Sequence, residues 1–490
     1  MGTRGGRSAE FLDDVCGMVT GRAVALAIAF VLVSAASSEG AWTSRVSGSR
    51  TAGPLGRSTP CPARARARTE RVDVSTDGVP ADAPILRAAL SANGRYVAFS
   101  SAAGDLVPGD GNHAADVFVR DLWTQETTRV SISSTGAEGR GASFFPTISA
   151  DGRFVAFRSF AKNLVPEDRN GVEDVFVHDR ATGLTERVSV GTQGEEANGP
   201  SVTSSISADG NVVAFSSSAT NLVPGDRNWL TDVFVRDRAR GRTIRVSVGP
   251  TGEAEGASEG SSISANGHVV AFRSFASDLV RGDTNGLPDD FVRDWVAGVT
   301  ERVNVSSSEE EANAVTFRGA LSADGRRVAF RSRASNLVAG DTNAALDVFV
   351  RDRVAGETRR ISVATNGAQA EARGTPAPIR ANLFMSRAFL SATGRYAAFG
   401  SRAGNLVRGD TNGVPDVFVH DEATGRTVRV SVADDGAQAD DASFVAGISG
   451  DGRVVAFVSS ASNLIPGDVN YGRAVFVRVR PFAAACVTHR

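Results

Sequence analysis

The chain has 490 residues, with 53 Lys plus Arg against 55 Asp plus Glu and a formal net charge of −2. That balance excludes a broadly basic polyanion-binding surface, and three cysteines are too few for a disulfide scaffold. The length would ordinarily suggest two or three domains, but an internal repeat overrides that expectation.

In chain order, the first predicted element is an export signal. Ala23 to Ala36, "AVALAIAFVLVSAA", is a short apolar run after Arg22 that ends in small residues. It has the layout of a secretory signal peptide, with cleavage after Ala35 or Ala36 and an alternative start at Met18. The run is short for a membrane span, so an uncleaved anchor is the second reading. The expected order is a signal over 1–36, a low-complexity linker over 37–68, a repeat domain over 69–480 and a tail over 481–490. The protein is therefore expected in the periplasm or outside the cell, touching membrane only through an uncleaved signal. Cys61 and Cys486 flank the repeats. They are two free thiols or, if the ends meet, partners in a disulfide.

The repeat is anchored by "SADGR", Ser149 to Arg153, with relatives beginning at Ser91, Ser207, Ser264, Ser322, Ser391 and Ser449. Each unit reads as four short strands. One ends in "PTIS" (Pro146 to Ser149), and a DG or NG hairpin turn leads to "RFVAFRS" (Arg153 to Ser159). Then come "DVFVHD" (Asp174 to Asp179) and "ERVSV" (Glu186 to Val190), rich in β-branched and aromatic residues. Seven four-stranded units predict an all-β, seven-bladed β-propeller. The last unit lacks a fourth strand, and "ERVDV", Glu70 to Val74, stands ahead of the first. The N-terminal strand is thus expected to complete the last blade and close the ring.

"SADGRFVAF", "DVFVHD" and "ERVSV" together resemble the TolB-like propeller repeat over roughly residues 69 to 480. The resemblance implies the fold and little about activity, because propellers host many functions. The family's namesake is similar to a six-bladed ring behind a separate α/β domain, which this chain does not repeat, so its Tol-system partners are not carried over.

Connectivity sorts the loops onto two faces. The loops between second and third strands share one face with the interblade segments, and the tight hairpins share the other. The first face collects "GDTNGVPD"-type loops and acids such as Glu195, Glu196, Glu253 and Glu309 to Glu311. The hairpins collect Arg95, Arg153, Arg326, Arg327, Arg395 and Arg453, so a polarised ring is expected. The loop pattern D-x-N-x-x-x-D partly resembles a calcium loop. Its best copies, with Gly after Asn, are Asp168, Asn170 and Asp174; Asp283, Asn285 and Asp289; and Asp410, Asn412 and Asp416. The competing reading is turn architecture, since Asp and Asn cap turns through their own backbone. The 69-residue spacing between Ser322 and Ser391 adds about eleven residues around "GTPAPIRANLFM". Its Leu383, Phe384 and Met385 are candidate partner-binding residues.

Catalytic motifs are sparse. "GASEG" around Ser258 matches a nucleophile pattern but lacks the strand-to-helix context that pattern requires. His178 and His420 share one repeat position and read as surface substitutions. No phosphate loop, zinc-type cysteine pair or nucleic-acid module is present, so no cofactor other than calcium is expected. The leading expectation is an exported, monomeric, non-enzymatic propeller that binds a protein or glycan and no nucleic acid. The alternative is a carbohydrate-active propeller, a lyase or hydrolase, acting at the channel mouth.

Overall fold

The computed structural model describes residues 67–371, 387–468 and 472–481. The signal segment, Cys61, Cys486 and the Leu383–Phe384–Met385 stretch lie outside the described residues. Among the described residues no helix is long and apolar enough to cross a membrane.

The β-rich repeats build seven four-stranded antiparallel sheets in a propeller ring. Blade 2 shows the plan. Its strands run Ser143–Ile148, Phe154–Ser159, Asp174–Asp179 and Leu184–Arg187, innermost first. Alternation sends Phe157 and Phe176 to one side of the sheet, where their rings stack at 6.1 Å. Ala156, Val175 and Val177 go to the other side and pack with Val213, Phe215 and Phe234 of the next blade. Both faces are thus buried, and "FVAF" and "VFV" read as nearly continuous apolar runs.

The ring closes through its two ends. Arg68–Arg71 pairs antiparallel with Ala474–Val479, Arg71 opposite Phe476, and becomes the fourth strand of the last blade. That strand lies two residues earlier than "ERVDV" suggested. The same shift occurs in blade 2, where the fourth strand ends at Arg187 because the Ser189 hydroxyl accepts the Val175 N–H at 3.0 Å. A side chain takes over the ladder there, and the backbone is free to turn toward the next blade.

On the hairpin face, the "SADG" turns tie each blade to its neighbour. Ala150 N–H donates to Ala208 O at 3.0 Å, Ala208 to Ala265, Ala265 to Ala323, Ala323 to Ala392, Ala392 to Gly450 and Gly450 to Ala92 O at 2.7 Å. Asn93 N–H completes the circle to Ala150 O. Gly152 is required here twice over. It sits at φ +82°, and a Cβ would lie 2.0 Å from the Tyr96 ring of the preceding blade.

Candidate functional site

The acidic loops of the opposite face turn inward. In blade 2, the loop after Ser159 carries Asp168 and Asn170, and Asp174 opens the third strand. Asn170 is fully engaged by its surroundings. Its Nδ2 donates to Asp174 Oδ2 at 2.7 Å and to Ala197 O at 3.1 Å, while its Oδ1 accepts the Val172 N–H. Gly171 takes φ +71°, as the turn requires, and His113, Trp229 and Ala344 hold the same left-handed place in other blades despite their side chains.

A cation already stands among these acids. Arg187, the last residue of the fourth strand, places Nη1 3.5 Å from Asp168 Oδ1, 3.4 Å from Asp174 Oδ2 and 2.5 Å from Glu196 Oε1. Glu196 arrives from the interblade segment, where its Oε1 also accepts the Arg169 N–H. Ser189 donates to the second oxygen of Asp174 at 2.5 Å. The arrangement recurs around Arg302 with Asp283, Asp289 and Glu311, at 3.4, 3.2 and 2.5 Å. Around Arg429, Asp410 and Asp416 lie at 3.4 Å and Gln438 replaces the third acid. Asn285 and Asn412 direct Nδ2 toward their aspartates as Asn170 does. In the closing blade, Arg71 binds Asp468 and Asp73.

All three predicted triads are therefore brought together, each with an arginine that sequence reasoning did not single out. The signal was available: Arg occupies that place in every fourth strand, at 71, 129, 187, 245, 302, 360 and 429. Burial, then the neighbouring carboxylate, raises Asp168 and Asp283 to about 6 from 3.8. The loop acids are nearly enclosed, Asp168 and Asp283 being 4 % and 3 % exposed. The polarised acidic surface expected of this face is correspondingly muted.

These carboxylates could hold a metal ion. The oxygens of Asp110, Asp116 and Glu138, of Asp168, Asp174 and Glu196, and of Asp226, Asp232 and Glu253 lie within 4.8 Å of one another in each group. Hard oxygen donors suit a divalent cation. In the third group both Asp226 oxygens and Asp232 Oδ2 make no hydrogen bond, and Arg245 Nη2 stands 3.7 Å from Asp226.

The nucleophile pattern and the paired histidines become structural. Ser258 is fully buried and shares a 2.9 Å hydrogen bond with Ser274, as Ser143 does with Ser159 and Ser443 with Ser459. The surface assignment of His178 and His420 is corrected. They are 4 % and 6 % exposed, and their Nδ1 atoms meet Thr185 and Thr427 at 2.8 and 2.9 Å. Burial lowers His178 to about 4.

Along the innermost strands, the blades differ. The residue three before the end of each inner strand is Arg87, Phe145, Thr203, Gly260, Arg318, Arg387 or Val445. Arg318 pairs with Glu259 at 2.9 Å, and Arg158 with Glu173 at 3.0 Å. Blade 4 also replaces a core valine by Asp290, fully buried and raised by that burial to about 7.

No family model matches the chain, and no curated protein matches it. Solved structures do. An oligogalacturonate lyase in complex with manganese aligns with TM-score 0.50 and 14% identity, covering 85% of this chain and 97% of that one. TolB from Acinetobacter baumannii aligns with TM-score 0.36 and 17% identity over 64% of this chain, which spans only 59% of that protein. The β-propeller domain of the Trilobed protease from Pyrococcus furiosus gives TM-score 0.45 and 12% identity, covering 81% and 95%. The neighbours thus include a TolB protein and other propellers. At these identities the likeness concerns the fold.

Proposed function

We propose that the protein is an exported, non-enzymatic propeller that binds a protein or glycan partner on its loop face. One observation carries the reading: the polar residues common to the blades are spent inside arginine-centred clusters. The residues left to recognise a partner are those that differ between blades, and the inner strands carry such a position at Arg87, Phe145, Thr203, Gly260, Arg318, Arg387 and Val445. Export rests on the signal-like Ala23 to Ala36 segment. The test is a glycan array and a turnover assay on acidic and neutral polysaccharides, run on the mature chain. Binding without product supports the scaffold. Product formation would overturn it in favour of the carbohydrate-active alternative, for which Glu259, paired with Arg318, and the buried Asp290 are candidate carboxyls.

Calcium in the acid clusters is a second reading, favoured by the Asp226 oxygens, which make no hydrogen bond and have only the 3.7 Å ion pair with Arg245. Asp226, Asp232 and Glu253 would hold the ion, which would supply positive charge and stiffen the loop. Thermal unfolding with calcium and then chelator decides it. A calcium-dependent rise abolished by Asp226→Asn supports the metal, because a ligand at a hundred times its Kd stabilises by about 2.7 kcal/mol. No shift leaves Arg245 as the cation.

A further inference from the structure

At the junction of blades 3 and 4, the loop face carries apolar side chains that the fold leaves in water. Trp229, in the loop between the second and third strands of blade 3, is 72 % exposed, with the exposed Leu230 beside it. Phe275, one residue beyond the second strand of blade 4 (Val269–Ser274), is 55 % exposed. Both loops are stitched to one dipeptide: Thr231 O accepts the Ser258 N–H at 2.7 Å, and Ala257 O accepts the Phe275 N–H at 2.9 Å. Two such backbone pairings set them roughly 10 Å apart.

Trp229 is a poor residue for its own turn. Its backbone is left-handed, at φ +59°, a conformation that glycine adopts freely and a bulky side chain resists. Gly171, Gly286 and Gly413 hold the same place in blades 2, 4 and 6, at φ +71°, +66° and +70°. The turn is nevertheless firmly fixed. Asn228 Oδ1 accepts the Leu230 N–H at 2.7 Å, and its Nδ2 donates to Ala254 O at 2.8 Å. An indole that strains its backbone and lies in water works against the fold on both counts, which points to recognition, and its rigid mounting keeps the entropy cost of contact low.

Charge and area narrow the partner. Arg227 and Glu255, both exposed, flank the patch with opposite signs, so it favours neither a polyanion nor a polycation. At about 150–250 Å² per aromatic side chain, the three residues expose on the order of 300 Å² of apolar surface. That is well short of the ~800 Å² that each side of a stable protein interface buries. A neutral sugar chain suits both limits. The C–H faces of a pyranose stack on aromatic rings, whose own faces are electron-rich. Its hydroxyls both donate and accept, which matches a guanidinium and a carboxylate on either flank. Arg273 already backs the Phe275 ring at 5.2 Å.

We propose that Trp229 and Phe275 stack the rings of a neutral, equatorially substituted oligosaccharide whose hydroxyls bond to Arg227 and Glu255. The site deepens the partner-binding role proposed above and rests on reading the loop face as the recognition surface.

The experiment is calorimetric titration of the mature protein with cellohexaose, xylohexaose and laminarihexaose, and with hexagalacturonate as the charged analogue. At least one neutral chain should bind with an affinity insensitive to salt, and lose about tenfold or more in Trp229→Gly and in Phe275→Ala. Trp229→Tyr should recover most of that loss. Trp123→Ala, which removes the exposed tryptophan of the hairpin face, should bind as the parent does. Thermal unfolding of Trp229→Gly should give an unchanged or higher melting temperature, because glycine relieves the turn. Absence of neutral-chain binding, preference for hexagalacturonate, or affinity untouched by Trp229→Gly would overturn the proposal. So would a marked loss of stability in Trp229→Gly, which would make the indole structural. Co-sedimentation with phosphatidylcholine–phosphatidylglycerol vesicles that Trp229→Gly abolishes would overturn it too, and assign the patch to a lipid surface. Neutral-chain binding that survives Trp229→Gly keeps a glycan-binding scaffold and removes this site; cleavage of a chain bound at Trp229 keeps the site and removes the non-enzymatic reading.

Discussion

On the hairpin face, Arg153 forks onto Asp179, with Nε 2.8 Å from one oxygen and Nη2 2.7 Å from the other. Ala181 N–H and the Thr182 hydroxyl add to the same carboxylate. On the loop face, Arg187 serves Asp168, Asp174 and Glu196 together, the two aspartates nearly out of water. The same two residue types give opposite electrostatics. The Arg153 fork holds Asp179 well below the usual carboxylate range, whereas burial and crowding push Asp168 up to about 6. One cation per acid with backbone donors favours the charged carboxylate, and one cation shared by two enclosed aspartates and a third acid leaves burial to favour the proton on the aspartates. The lesson is that an ion pair is defined by its surroundings and stoichiometry as much as by its distance.

The comparison breaks most visibly at its centre. Arg187→Ala leaves Asp168 and Asp174 enclosed without their cation and should cost about 3–5 kcal/mol in denaturant unfolding. The same variant should gain more thermal stability from calcium than the parent does, since the acids remain and their guanidinium is gone. A calcium response no larger than the parent's would show that these oxygens are not poised for a metal.

Gly152→Ala attacks the hairpin face where it joins blade to blade. Left-handed backbone alone costs about 1–2 kcal/mol for a residue with a Cβ, and the Tyr96 ring adds a clash. Gly183→Ala, at φ +75° with nothing within 4 Å of its Cβ, should lose less. Chemical denaturation of both checks the order.

The pH dependence sharpens the contrast without mutation. Asp110, Asp168, Asp232 and Asp283 stand near 6 in the fold against 3.8 unfolded. The native state therefore binds more protons than the unfolded chain between those values, and stability falls as pH rises from about 4 to about 6. Asp179 and Asp421 are depressed, chiefly by Arg153 and Arg395, so their stabilisation is present above about pH 4 and lost as pH falls through their lowered values. Melting temperature against pH should peak at about 4–5, and Asp168→Asn should flatten only the descent toward pH 6. A parent that gains stability steadily from pH 4 to 7 would contradict the raised aspartates. Smallest of all is Arg153→Ala. Its guanidinium is solvent-exposed, and Asp179 keeps its other donors, so its melting temperature should fall far less than that of Arg187→Ala.

Much of this molecule is written locally. The spacing of "SADGR", the DG turns, the "VAF" and "VFV" runs and the displaced "ERVDV" determine seven four-stranded blades and their closure, because strand period, turn chemistry and repeat length are properties of short stretches. The loop acids were legible as a recurring D-x-N-x-x-x-D pattern, and Asp168, Asn170 and Asp174 do converge. Tertiary structure alone decided what stands among them. Arg187 lies thirteen residues beyond Asp174 on another strand, and Glu196 comes nine later from the interblade turn, so the charge balance exists only once the hairpin and the crossover have folded together. His178 reads as surface in the sequence and lies buried, its Nδ1 against Thr185 of the adjoining strand. Arg387 and Arg87 belong to the inner strands of blades 6 and 1, separated by much of the chain, and only ring closure brings them together. Short-range pattern determines the blade; closing the ring determines which charges meet.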